Sequence, residues 1–102
     1  MIIFKDYLGR DIRLTDNRWE HILTRTEMVD QKEKIKETLL NPDKIKKSRY
    51  DSEVLLYYRL YEKTPVTKKY LMVAVKVENG VGFILTSFFT DKIKAGETEW
   101  ER

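Results

Sequence analysis

Three runs of residues constrain this chain more than any other feature: 53–61 (EVLLYYRLY), 69–78 (KYLMVAVKVE) and 82–90 (GFILTSFFT). Their β-branched and aromatic side chains suit a pleated surface and disfavour helix. A turn containing Pro65 separates the first two, and Asn79-Gly80, the strongest short hairpin signal, separates the last two. An antiparallel meander follows. At a period of two, Val54/Leu56/Tyr58/Leu60, Leu71/Val73/Val75/Val77 and Phe83/Leu85/Phe89 form the expected core-facing side. The other side, Leu55/Tyr57/Arg59/Tyr61, Tyr70/Met72/Ala74/Lys76 and Ile84/Thr86/Phe88, is mixed. It reads as an aromatic and basic shelf suited to stacked single-stranded RNA bases, or as a second apolar layer that widens the core.

The first half has helical rather than alternating periodicity. Residues 2–7 and 10–14 read as a small hairpin around Leu8-Gly9, and Thr15 or Asp16 caps a helix over 16–25. Trp19, Ile22 and Leu23 give that helix one apolar face, while Arg18, His21 and Arg25 fall within about 60° of one another on the opposite face. Asp30 and Glu33 have the spacing of a capping box for a second helix that ends before Pro42 and buries Ile35, Leu39 and Leu40. Ile45–Ser48 reads as a short strand, and Trp100 as an anchor for a polar tail over 92–102. The expectation is a single α+β domain over 1–102: an N-terminal β-hairpin and two helices packed on a three- to four-stranded antiparallel sheet.

Composition narrows the chemistry. With no cysteine and one histidine, His21, thiolate zinc sites, cysteine nucleophiles and His-rich metal sites are excluded. No Gly-rich phosphate loop is present, and Asp16, Glu20 and Glu27 do not make a carboxylate pair, so no metal and no cofactor is expected. No apolar run is long enough for a transmembrane helix and the first residues lack a signal-peptide pattern, so no membrane partner and a cytoplasmic setting are expected. The chain carries 20 Lys+Arg against 17 Asp+Glu, net +3. Residues 31–50 hold seven basic and three acidic residues, with Lys44, Lys46, Lys47 and Arg49 close together. Such a cluster either neutralises phosphates or forms a solvated face.

The turn at Asn79-Gly80 decides whether the shelf forms. A two-residue loop sets Lys76 opposite Phe83 and sends Thr86 to the other face. A three-residue loop, Glu78-Asn79-Gly80 with Gly80 left-handed in a bulge, pairs Lys76 with Gly82 and leaves Lys76 and Thr86 on one face. The bulged turn is the expected one.

Arg18-Trp19-Glu20-His21-Ile22 on a first helix, Leu40-Asn41-Pro42-Asp43-Lys44-Ile45 before the sheet, and then the strands ending in Gly82-Phe83-Ile84-Leu85-Thr86-Ser87-Phe88 stand in a particular order. Over residues 10–96 this order resembles the phage- and toxin-type RNases of the barnase–EndoU–colicin–RelE-like superfamily. The resemblance implies a RelE/barnase-like fold and metal-independent RNA cleavage, with His21 as catalytic histidine, Thr86 as late-strand hydroxyl and Arg59 as strand arginine. It also implies RNA as partner, and an immunity protein or antitoxin as a further one. The chain departs from the pattern in three places. Arg25-Thr26-Glu27-Met28 stands where members often carry a second histidine, Ser87 replaces an alanine, and Phe88 replaces a tyrosine.

Metal-free cleavage needs a base for the 2′-hydroxyl proton, an acid for the departing 5′-oxygen, and donors for the charge on phosphorus. Imidazole can serve either proton role. With one histidine, the second role goes to another group or to water. Arg18, Arg25, Arg49 and Lys76 are the candidate phosphate contacts, and Tyr57 a stacking or hydrogen-bonding one. The competing reading is a non-catalytic RNA- or protein-binding module on the same face. A third is a toxin held in check by an antitoxin.

Overall fold

The structure, a computed structural model, describes residues 1–102. In chain order the elements are β1 (Ile2–Lys5), β2 (Asp11–Leu14), α1 (Asp16–Ile22), a 3-10 turn (Thr26–Met28), α2 (Lys32–Leu40), β3 (Lys44–Lys47), β4 (Val54–Tyr61), β5 (Lys69–Glu78), β6 (Val81–Thr90) and β7 (Thr98–Glu101). The strands form one seven-stranded mixed sheet in the order β1-β2-β6-β5-β4-β3-β7, with β2 running parallel to β6. This corrects the expectation of a hairpin and two helices packed on a three- to four-stranded antiparallel sheet, and with it the RelE/barnase-like architecture that the resemblance implies. The meander β4-β5-β6 is there, but both ends of the chain extend it.

The extensions have physical causes. Ile12 and Leu14 on β2 are fully buried, so the N-terminal hairpin must join the common core. Ile12 lies opposite Gly82, where an added Cβ would come within 2.5 Å of the Ile12 side chain and 2.8 Å of Val75. Glycine at 82 leaves the space that the Ile12 and Val75 side chains fill. At the other edge, Trp100 opposes Ile45 and packs on Tyr7 with ring centroids 5.3 Å apart. Glu101 and Glu99 on β7 pair with Lys44 and Lys47 on β3 at 3.3 and 3.6 Å. Two members of the basic cluster therefore help hold a strand.

Both helices lie over one face of the sheet, and their fully buried Ile22, Ile35 and Leu39 join Leu55, Tyr57, Leu71, Val73, Val75 and Ile84 in the main core. Register shows which strand residues share that face: Tyr57 opposes Val73, and Leu55 opposes Val75. The expected pairing of Val54/Leu56/Tyr58/Leu60 with the Leu71/Val73/Val75 side is thus reversed. Those four share the outer face with Tyr70, Met72, Ala74 and Lys76. Both faces of β4 are rich in apolar residues, so alternation alone does not say which one meets the helices.

Thr15 caps α1 as expected, its side chain accepting from the Arg18 N–H at 3.2 Å. The helix ends at Ile22, not at 25, where the backbone and hydroxyl of Thr24 both donate to the His21 carbonyl. The Asp30/Glu33 capping box does not form. Gln31 occupies the N-cap of α2 without a side-chain bond, and Asp30 takes a left-handed φ of 64°. No helix is long and apolar enough to cross a membrane.

Candidate functional site

The hairpin between β5 and β6 is the tight one: Glu78 opposes Val81, and Asn79 and Gly80 take φ of 53° and 78°. Two successive positive φ values are what a two-residue type I′ turn requires. The expected three-residue bulged turn is therefore incorrect, and Lys76 opposes Phe83 rather than Gly82. The extra residue enters β6 later. Val75 opposes Ile84 and Ala74 opposes Thr86, which leaves Leu85 unpaired. That bulge restores the face relationship the expected turn would have set, with Lys76, Phe83, Thr86 and Phe88 all on the outer face.

β2 pairs with β6 only at Ile12–Gly82 and Arg13–Phe83, and α1 lies against the later part of β6. Residues far apart in sequence meet along this seam. The Thr86 hydroxyl oxygen lies 3.4 Å from His21 Nε2. The Arg25 guanidinium stands 4.7 Å from the Phe88 ring centroid, and Arg13 stands 5.7 Å from that of Phe83. Phe83, Thr86 and Phe88 on the outer face thus each have a cationic or titratable partner from residues 13–25. Cations over ring faces are attracted by about 0.5–2 kcal/mol, so the guanidinium groups are held but not neutralised.

None of Arg13, Arg18, His21 and Arg25 has a carboxylate within salt-bridge reach, although the molecule makes such pairs elsewhere. Arg13 Nε is out of solvent with no hydrogen-bond partner, as is Arg59 Nε on the covered face. Arg18 is exposed one turn before His21. His21 occupies the last turn of α1.

The other candidates lie elsewhere. Arg59 is on the helix-covered face, donating to the Asn41 carbonyl at 2.6 Å and sitting 3.6 Å from Glu37. It does not stand between His21 and Thr86, and the strand-arginine role implied for it is corrected. Tyr57 is fully buried in the core. Its hydroxyl donates to Asp6 at 2.7 Å and accepts from Arg10 at 3.2 Å, and burial pushes the phenol well above its ordinary range. It cannot stack on a base. Lys76 shares the outer face with Thr86 but is paired to Asp51 at 2.5 Å and to Glu53 at 3.3 Å. The Asp51 hydrogen bond raises the ammonium above its usual value and lowers the Asp51 carboxyl. Arg49 lies on the outer side of the sheet in a separate cavity.

None of the surface cavities is lined by His21, Thr86 or Arg59, so the seam is an open surface and not a pocket. Arg13 and Phe83 were not singled out as functional by sequence. Their partnership needs the parallel β2–β6 contact, which no local pattern signals. No protein-family model, curated protein or solved structure matches the chain.

Proposed function

We propose that the seam between α1 and β6 is an RNA phosphodiester site, and that the protein is a metal-independent endoribonuclease acting through His21. The observation that carries this reading is the 3.4 Å approach of His21 to Thr86, side chains 65 residues apart, beside unpaired guanidinium groups. His21 takes the 2′-hydroxyl proton, and the 2′-oxygen attacks phosphorus. The P–O5′ bond breaks, the leaving oxygen takes a proton from water, and the imidazolium returns its proton to the hydroxide left behind. The products are a 2′,3′-cyclic phosphate and a 5′-hydroxyl. Arg25 holds a non-bridging oxygen, and the Thr86 hydroxyl orients the imidazole or donates to the phosphate. A single imidazole fills one of the two proton roles, so turnover is slower than with a matched acid–base pair, each such role contributing about 10²–10⁴-fold.

A second reading, a non-catalytic RNA-binding module, is favoured by the stacking of Arg13 and Arg25 on Phe83 and Phe88, an arrangement that holds a strand without cutting it. Incubating the protein with single-stranded and structured RNA in the presence of a chelator, beside His21→Ala and Thr86→Val, separates the two. Cyclic-phosphate ends lost in His21→Ala support the enzyme. Salt-sensitive binding without cleavage, unchanged in His21→Ala, supports the module. Neither binding nor cleavage overturns both.

A further inference from the structure

On the same outer face, the cross-strand row Thr86–Ala74–Leu56 leads away from the seam to a second feature. Leu56 forms one wall of a cavity of about 230 Å³ whose other walls are Ser48, Arg49, Tyr50, Lys94 and Ala95. Pockets for drug-sized ligands measure roughly 300–1,000 Å³, so this space suits one ring system rather than a larger ligand.

Three observations give the cavity a chemistry. Tyr50 is 96% exposed, so its ring adds nothing to the core. Its backbone is nevertheless held, because the Tyr50 N–H donates to Ser48 Oγ at 3.2 Å in a loop closed by Ser48 N–H to the Val54 carbonyl and Val54 N–H to the Asp51 carbonyl. A hydrogen-bonded loop thus presents an unpacked aromatic face. Arg49 and Lys94 carry no ion pair, while nearby Lys47 and Lys76 are already matched to carboxylates. Finally, no acid lines this cavity, whereas the groove on the other side of Arg49 and Tyr50 includes Asp51 and Glu97. An anion is favoured on the Leu56 side alone.

Adjacent strands are about 4.8 Å apart, so Thr86 and Leu56 lie roughly 10 Å apart on one face. A stacked strand advances about 3.4 Å per nucleotide, which makes this a span of about three nucleotides, or fewer when extended. We propose that the cavity is a flanking-nucleotide subsite for single-stranded RNA: one base of the strand held at His21–Thr86 stacks on Tyr50, and Arg49 and Lys94 take the adjacent phosphate. The proposal rests on the RNA reading of the seam and deepens it. It implies that the substrate is an unpaired strand at least four nucleotides long, since a duplex cannot turn a base into the cavity.

Fluorescence anisotropy with a labelled eight-nucleotide single-stranded RNA, made uncleavable by 2′-O-methylation, and with the matching dinucleotide tests it. Full-length wild type is compared with Tyr50→Ala, Tyr50→Phe, Arg49→Ala and Arg25→Ala. Tyr50 is exposed, so Tyr50→Ala leaves the fold intact, as thermal unfolding verifies. The expected result is about tenfold weaker octamer binding in Tyr50→Ala, recovery in Tyr50→Phe, and no change for the dinucleotide. Octamer binding that responds to Arg25→Ala but not to Tyr50→Ala or Arg49→Ala overturns the subsite and leaves the seam reading intact. Binding that responds to Tyr50→Ala but not to Arg25→Ala overturns the seam reading and the shared path. An octamer that does not bind wild type overturns both.

Discussion

The two faces of the central sheet are both rich in aromatic and basic residues, yet they use them in opposite ways. On the helix-covered face, Asp6 and Arg59 are tied to partners, although Arg59 Nε itself makes no hydrogen bond. Asp6 accepts from the N–H groups of Leu8 and Arg10, from Arg10 Nε and from the Tyr57 hydroxyl, and Arg59 is bound to Asn41. On the outer face along β6, Arg13 and Arg25 are stacked on rings but lack counter-charges, and His21 meets a hydroxyl rather than a carboxylate. A guanidinium bound to a carbonyl beside a carboxylate has partners for its charge; an exposed one held only over a ring, as at Arg25, keeps in-plane donors for a ligand. The difference lies in partnering, not in composition.

This contrast can be broken from either side. The largest effect belongs to the covered face: Leu71→Ala removes a fully buried side chain and is expected to lower unfolding free energy by about 2–5 kcal/mol in a denaturant titration. Next is Tyr57→Phe, which takes one donor from a buried carboxylate, at about 1.5–3 kcal/mol. The same residue governs alkaline behaviour. Folding raises the phenol's pKa, so its stability contribution is intact below the ordinary tyrosine value of about 10 and falls as pH climbs beyond it, where unfolded tyrosines ionise. Tyr57→Phe should therefore lose stability less steeply above that pH, measured as unfolding midpoint against pH; an unchanged slope would contradict the assignment.

A smaller loss, about 1–3 kcal/mol, is expected for Gly82→Ala, because the new methyl meets Ile12 and Val75 where β2 joins β6. Hydrogen exchange should show β1–β2 opening before the meander. The smallest effect on folding belongs to the outer face. Arg25→Ala should cost less than about 1 kcal/mol of stability while reducing the slope of log affinity for RNA against log salt by about one. If Arg25→Ala destabilises as much as Leu71→Ala, the two faces do not differ as described.

Part of the frame could be read from local patterns: the meander from its apolar runs, a hairpin at Asn79-Gly80 though not its two-residue form, α1 from Thr15 and the Trp19/Ile22/Leu23 stripe, and the docking of Trp100. What escaped depends on contacts distant in sequence. The side of β4 that meets the helices is marked by partners for Tyr57 and Arg59 that lie 51 and 18 residues away. The edge strands β1–β2 and β7 were missed as parts of the sheet because a four-residue strand carries little signal until a neighbour offers an edge. Among the site residues, the closeness of His21 and Thr86 agrees with the face assigned to Thr86. It arises from a bulge at Leu85 rather than from the turn, and no residue type announces that bulge. The charge pattern held a clue that went unused: a segment of net +4 over 31–50 and acidic Glu99 and Glu101 near the end match as β3 and β7.

The most direct test of the proposed RNA site is a two-dimensional amide NMR titration of the full chain with uncleavable 2′-O-methyl single-stranded RNA. The account predicts saturable, salt-sensitive shifts at Arg13, across His21 to Arg25 and from Phe83 to Phe88, with α2 unmoved. Shifts confined to the Lys34, Lys36 and Tyr61 groove on the covered side, or no saturable shift at all, would contradict it.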